Sequence, residues 1–272
     1  MPACQAGGAG SNPARRTIFH KQYRIIGIFL NLLEVLVLSE FYNIRKLLAE
    51  LDTKTLNLFD ALKKRVDETA WKDNIIKEYG SEREVPWMIW RRSLFNAIRK
   101  ICREEAESSL IEQAREIYYL WILAKRELFS TLNLNKERLE RVLNTLAQLH
   151  SEGLYPSGFF IWNPTHKDYK IEVIRGVFGS NIENEDLLID ALDIGYYIYD
   201  VLRTISPLIL TGLILPSLDS ENKDFYLKEA NEILLLLKIR DYWYSFVEKR
   251  SNPDYQHWEF WEEFLRDVKK DP

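Results

Sequence analysis

Long segments in which apolar residues recur every three to four positions constrain the fold of this chain more than any other feature. This spacing places the apolar side chains on one face of an α-helix. Glycine and proline, which interrupt helices, number only 11 and 9 among the 272 residues. The sequence therefore predicts a mainly α-helical protein, with helical segments within residues 22–50, 55–79, 87–107, 183–204, 222–249 and 254–269. Gly80 directly follows the second segment and is expected to end its helix.

The composition excludes several classes of protein. Hydrophobic residues make up 46% of the chain, enough to form a core and too many for a disordered protein. Cys4 and Cys102 are the only cysteines, which excludes a disulfide scaffold or a cysteine-based zinc site and favours a cytoplasmic location. The apolar run 25–38 contains Asn31 and Glu34 and is shorter than the about 20 residues of a membrane span. We expect no membrane span.

Charge is distributed unevenly along the chain. Residues 181–272 carry 19 acidic and 10 basic side chains, whereas residues 1–180 carry 22 acidic and 27 basic ones. The basic excess favours a polyanionic partner for the first part, and chance segregation of surface charge is the alternative. The pattern predicts four regions: a disordered tail at 1–16, an N-terminal helical region at 17–109, a module at 110–178 and an acidic C-terminal helical region at 179–272.

The first sixteen residues have an unusual composition. They are rich in glycine, alanine and proline and have no helical or strand periodicity. The tetrapeptide at 10–13, Gly-Ser-Asn-Pro, is what one reading frame of GGTTCGAATCC encodes, a string common in the T-arm of tRNA genes. Two interpretations follow: the translated end of a tRNA gene, a usual insertion site of mobile elements, or an ordinary disordered tail. We expect no functional residues there in either case.

The segment 127–146 predicts two helices joined by a tight turn. Asn133 lies at the turn, where its side chain tolerates a positive φ better than most residues do. Asn135 is placed to cap the second helix by accepting a hydrogen bond from a backbone N–H. Apolar residues at helical spacing line the facing sides of the two helices, and these are Leu128, Phe129, Leu132, Leu139, Leu143 and Leu146.

Two β-prone runs follow this helix pair. Residues 158–162 and 169–174 flank the turn-rich stretch 163–168 and predict a small β-hairpin. A turn-linked helix pair followed by a hairpin resembles the winged helix-turn-helix family, over residues 111–176 only. The resemblance implies a mainly α, multi-helix protein with an embedded winged-helix-like module and one small β-hairpin.

The resemblance further implies binding to double-stranded DNA. In this family the second helix, here 136–151, enters the major groove and presents side chains to base edges and phosphates. Glu137 and Glu140 on the same face depart from that pattern, because they repel phosphates. A DNA-binding regulator of a mobile element or its host is the implied function. The implied DNA contacts are Lys136, Arg138, Arg141, Asn144 and Thr145 on the helix and His166 and Lys167 at the hairpin tip.

A second basic element lies at residues 90–103, which contain five cationic side chains and no acidic one. Arg92, Asn96, Arg99 and Arg103 are spaced four, three and four positions apart and so share one helix face. Two interpretations stay open. The stripe follows DNA phosphates, or it pairs with the acidic C-terminal region.

Two other classes of function are alternatives to DNA binding. One is a helical protein-interaction module without catalytic activity. The other is a magnesium-dependent enzyme that uses Asp186, Asp190, Asp193 and Asp200, which share one helix face; a solvated acidic surface is the simpler interpretation of that face. The chain contains no Gly-rich phosphate loop and no nucleophile motif. We therefore expect a protein that is not an enzyme and needs no cofactor or metal.

A homodimer is also expected, because two-fold DNA sites usually require a two-fold dimer. Two surfaces are candidates for its interface. One is the apolar N-terminal segment around residues 25–38. The other is the C-terminal aromatic cluster, where Trp258, Trp261 and Phe264 lie at helical spacing; packing of these rings into the core is the simpler interpretation.

Overall fold

The computed structural model describes residues 42–66, 68–104, 107–152, 170, 174–175, 184–202, 206–248 and 257–270. The chain divides into two compact units, Met1–Tyr42 and Asn43–Pro272, and nearly all described residues belong to the second. Within this described part, every regular element is helical. The prediction of a mainly α protein is confirmed.

The described helices follow one another with short connections. Two 3₁₀ turns, Glu82–Glu84 and Ser220–Asn222, precede α3 and α8 respectively. The helices are α1 (42–65), α2 (Glu68–Tyr79), α3 (Trp87–Glu104), α4 (Ser108–Thr131), α5 (Lys136–Ser151), α6 (Glu185–Val201), α7 (Ser206–Leu218), α8 (Lys223–Glu248) and α9 (His257–Lys270).

Helix boundaries agree with the local signals in part. Gly80 ends α2 with a φ of +84°, and its N–H donates to the carbonyl of Ile76, which confirms the expected glycine stop. The segment 55–79 is helical as predicted and contains two helices, since α1 ends at residue 65 and α2 begins at Glu68. The stretch 51–54, which lies between two predicted segments, is also helical. A buried face at helical spacing, Ile44, Leu48, Leu51, Leu58 and Leu62, carries α1 through it.

Helix α7 lies in the core. Its residues are buried from Ser206 to Ser217, as expected for a helix that is apolar on all sides. It contains a π-helical turn, Leu210–Ile214, and packs against α3, α4, α8 and α9. Gly212 in this turn faces the side chain of Leu265 on α9. Helix α7 therefore organises the packing of the helices around it.

Aromatic side chains join α9 to the rest of the core. Phe95 on α3 contacts four other rings, Phe59 on α1 and Phe260, Trp261 and Phe264 on α9, with centroid separations of 5.2–5.8 Å. Phe260, Trp261 and Phe264 are almost fully buried. The core interpretation of the C-terminal cluster is confirmed for these three rings, which are not exposed for dimerisation.

The predicted β-hairpin is wrong. Lys170, Ile174 and Arg175 are helical, although Lys170 and Ile174 lie in the expected second strand, 169–174. Ile174 is fully buried, and the ammonium of Lys170 pairs with Asp193 at 2.6 Å. Both side chains are therefore held by contacts with the rest of the protein, and the backbone at both positions is helical. Tertiary contacts thus override the β-propensity of this run.

The other parts of the predicted wing lie outside the described residues. They comprise the first strand, 158–162, and the turn that carries His166 and Lys167. The apolar segment 25–38 also lies outside them.

Candidate nucleic-acid interface

The turn between α4 and α5 has the geometry that the sequence predicts. Asn133 adopts a φ of +49°, in the left-handed region. The Asn135 side chain accepts a hydrogen bond of 2.8 Å from the backbone N–H of Arg138 and caps α5. Helix α4 is continuous from Ser108 to Thr131, so the helix predicted before the turn begins well before residue 127. The predicted turn and cap are confirmed.

The Arg138 side chain points back into the protein. Its guanidinium donates to both carboxylate oxygens of Asp190 on α6, with an Nε–oxygen distance of 3.2 Å. It also donates to the carbonyl oxygens of Leu132 at 2.6 Å and Asn133 at 3.0 Å. These carbonyls lie just after α4, where a helix leaves backbone acceptors without internal partners. Arg138 therefore ties together α4, α5 and α6.

The other predicted DNA contacts on α5 lie on its outer side. Lys136, Arg141 and Asn144 are exposed, and the Thr145 hydroxyl donates to the carbonyl of Arg141 at 3.0 Å. Glu140 on the same side lies 3.6 Å from the Lys136 ammonium. With Glu137 also exposed, positive and negative charges balance on this face. A balanced face attracts a polyanion weakly.

Helix α3 presents a more strongly cationic surface. The predicted stripe does share one face, and its side chains line a pocket of about 430 Å³ between α3 and α9. Positive charges outnumber negative ones by two in this lining. We call it the α3 pocket; its lining residues are Arg92, Asn96, Arg99, Lys100, Arg103 and Glu104 from α3 and Phe264 and Asp267 from α9.

The cations of the α3 pocket differ in burial. Arg99 is only 6% exposed, and its guanidinium lies 5.8 Å from the ring centroid of Phe264. Lys100 and Arg103 are exposed at the rim. The lining of the pocket therefore combines two exposed cations with one buried guanidinium.

Arg92 joins the pocket to the acidic C-terminal region. Its Nη2 atom lies 2.9 Å from a carboxylate oxygen of Glu263 and 3.7 Å from one of Asp267, both on α9. Its Nε atom is buried without a hydrogen-bond partner. The pairing with the acidic C-terminal region is therefore confirmed for Arg92. The neighbours of Arg92 line a cationic pocket, and their contact with DNA phosphates stays a prediction.

Arg91, next to Arg92 in the chain, serves the aromatic core. Its guanidinium lies 4.9 Å from the ring centroid of Phe260 and 5.6 Å from that of Trp261. Burial lowers the pKa of this guanidinium, although arginine stays protonated at neutral pH. Adjacent arginines of α3 therefore have different roles, one within the ring cluster and one at the pocket.

The acidic face of α6 is paired. Asp190 binds Arg138, Asp193 binds Lys170 and Asp200 binds Arg45 of α1. The interpretation of this face as a solvated surface is wrong for these three carboxylates, because tertiary packing brings a cation to each. Among the described residues, no group of three or more histidine, cysteine or carboxylate side chains is arranged to hold a metal ion.

Sequence reasoning missed two parts of the pocket. Lys100 lies one position after Arg99 and so falls off the strict stripe, yet its long side chain reaches the pocket. The α9 residues Phe264 and Asp267 gave only an amphipathic signal of their own, and nothing local indicates which helix they face. Only the packing of α9 against α3 identifies them.

Some large apolar side chains are exposed. Tyr119 and Leu123, one turn apart on α4, are 67% and 50% exposed, and Phe225 at the start of α8 is half exposed. Within the described residues, no single helix has the length and apolarity of a membrane span; α6 and α7 reach that hydropathy only as a pair bent by 78°.

Comparison with known proteins adds no relative from which a role can be transferred. No protein-family model, no curated protein and no solved structure matches the chain. The candidate interface therefore rests on its own geometry, a cationic pocket on α3 whose wall includes α9.

Proposed function

We propose that this protein binds DNA and contacts the phosphate backbone with the α3 pocket. One observation carries the proposal: four cationic side chains of α3 line a single pocket, whose lining contains only two carboxylates. Cationic side chains that neutralise phosphates release condensed counterions, and this release supplies most of the sequence-independent affinity for DNA. Contacts of this kind fix the position of a protein on the duplex.

Base reading by α5 is a separate part of the proposal. Arg141 and Asn144 are exposed and chemically suited to guanine and adenine edges, respectively. Arg138 instead supports the geometry of the α4–α5 turn. Regulation of transcription, in a mobile element or its host, requires that these side chains confer sequence preference. Contacts of α3 with DNA phosphates alone would give DNA binding without sequence preference.

Fluorescence anisotropy with a labelled DNA duplex tests the proposal. The wild type should bind with an affinity that falls as salt rises from about 50 to 200 mM. Charge reversal of the exposed rim residues, Lys100→Glu with Arg103→Glu, should weaken binding and flatten the plot of log affinity against log salt by about two units of slope, close to one per lost contact.

A charge-matched control separates the pocket from the overall charge of the protein. Lys46 on α1 and Lys228 on α8 are exposed, and their reversal to glutamate changes the net charge equally. This control should retain most of the affinity. The proposal is wrong if the wild type shows no salt-dependent binding, or if the control loses as much affinity as the α3 variant.

Protein interaction is the second candidate function. The observation that favours it is the exposed pair Tyr119 and Leu123 on α4, since large apolar side chains that are neighbours on a surface suit an interface. The partner that we propose is a second copy of this chain, because most soluble oligomers are symmetric homo-oligomers. Light scattering after size exclusion should give a dimer for the wild type and a monomer for Tyr119→Ser with Leu123→Ser. A monomeric wild type contradicts this candidate.

A further inference from the structure

We propose that the α3 pocket binds a phosphate monoester dianion, either the terminal phosphate of a DNA strand or the phosphate of a free mononucleotide. The first source rests on the proposed DNA binding, and the second does not. Three properties of the pocket carry the inference: the depth at which its cations lie, the number of its charges and the chemistry of its wall.

Depth distinguishes a terminal phosphate from one inside a duplex backbone. A backbone phosphodiester is flanked by a sugar on both sides, so it approaches a protein surface side-on and reaches rim residues such as Lys100 and Arg103. Arg99 is nine-tenths buried and still lines the pocket. A monoester carries its phosphate at the end of a single ester bond, so the phosphate enters first and reaches Arg99.

Charge also favours the monoester. The pocket keeps a net positive charge even when Glu263, the partner of Arg92, is counted with the lining. It therefore attracts a monoester, which carries close to two negative charges at neutral pH, more strongly than a diester, which carries one. Arginine donors form paired hydrogen bonds to phosphate oxygens.

The pocket wall limits what is attached to the phosphate. Its volume of about 430 Å³ falls in the range of small-molecule sites. Phe264 supplies an apolar surface for a sugar or base, while Asn96 supplies an amide at the rim. Asp267 and Glu104 repel a second anionic group. A single phosphate with an uncharged organic group is the ligand class that fits.

Two pairs of probes test the inference. The first pair is a labelled DNA hairpin with one 5′ end, prepared with a 5′-phosphate or a 5′-hydroxyl group. The second pair is 2′-deoxyadenosine 5′-monophosphate and 2′-deoxyadenosine, each titrated by calorimetry. The phosphorylated hairpin should bind at least about tenfold more tightly than its hydroxyl form, as expected for an added charge-assisted contact. Only the nucleotide should give binding heat.

A matched pair of double variants locates the site. Asn96→Ala with Lys100→Ala removes two exposed side chains from the pocket, so the fold should be retained. Asn144→Ala with Lys136→Ala removes the same residue types from the exposed face of α5. The double variant of the pocket should lose the preference for the 5′-phosphate hairpin, and the double variant of α5 should keep it. The opposite result would place the phosphate site on α5 and overturn the inference.

The remaining outcomes separate this inference from the proposed function. Equal, salt-dependent affinity for both hairpins with no heat from the nucleotide overturns the monoester site and leaves DNA binding in place. Nucleotide binding without binding of either hairpin supports the monoester site and overturns DNA binding. Absence of binding to all four probes overturns both.

Discussion

Gly195 faces the indole of Trp243 where α6 packs against α8, and a Cβ atom at this position would overlap ring atoms that are fixed in the core. At Gly212, a Cβ would come too close to a single atom, the terminal methyl of Leu265, which can rotate away. We expect Gly195→Ala to lower the free energy of unfolding by about 1–3 kcal/mol from overpacking, offset by about 1 kcal/mol of helix propensity. Gly212→Ala should cost less. Urea unfolding measures both, and equal losses would contradict the assigned contacts.

At the scale of the element, α6 connects distant parts of the chain through its carboxylates. Asp190→Asn removes the partner of Arg138, a pair that is about three-quarters buried, and weakens the hold on the α4–α5 turn. We expect a loss of about 1–3 kcal/mol, between the values for exposed and buried ion pairs. Asp60→Asn, at an exposed position of α1, should change stability by less than about 0.5 kcal/mol.

A double-mutant cycle measures the coupling free energy between Arg138 and Asp190. Arg138→Met in the Asp190→Asn background should cost less than Arg138→Met alone, because the pair is already broken. Additive losses would show that Arg138 acts only through the carbonyl oxygens that follow α4.

At the scale of the whole molecule, buried groups that keep their protons determine how the free energy of unfolding changes at alkaline pH. Burial raises the pKa of the Cys102 thiol from 9.0 to about 12. Burial and a hydrogen bond to Asp219 raise the pKa of Tyr226 from 10.0 to about 12. Above pH 9 the unfolded chain releases the thiol proton while the folded protein retains it. The contribution of the protonated thiol to the free energy of unfolding is therefore fully present below pH 9. It is lost as the pH rises towards 12.

Cys102→Ala tests this linkage. In the wild type, ionisation of the thiol in the unfolded chain should lower the free energy of unfolding by up to about 1.4 kcal/mol for each pH unit above 9. The variant should be less stable at neutral pH because it leaves a small cavity, yet its stability should fall less steeply with pH. Urea unfolding between about pH 8 and pH 11 gives both curves, and parallel curves would show that the thiol ionises equally in both states.

Local sequence alone determined the helical class of the protein, the glycine stop at Gly80 and the turn between α4 and α5. Each depends on neighbours a few positions away: apolar spacing for the helices, and the backbone tolerance and capping oxygen of Asn133 and Asn135 for the turn. The basic face of α3 was also predictable, since positions three and four apart in a helix share one side.

Tertiary structure decided which residues form the site. Arg138 meets Asp190 across 52 positions, so no local pattern shows that its side chain turns inward. The α3 pocket exists because α9 packs beside α3. The run 169–174 has strand propensity, yet burial of Ile174 and pairing of Lys170 accompany a helix there. Propensity is worth tenths of a kcal/mol per residue, whereas burial of an apolar side chain is worth about 1.5–3 kcal/mol, so contacts between distant segments override it.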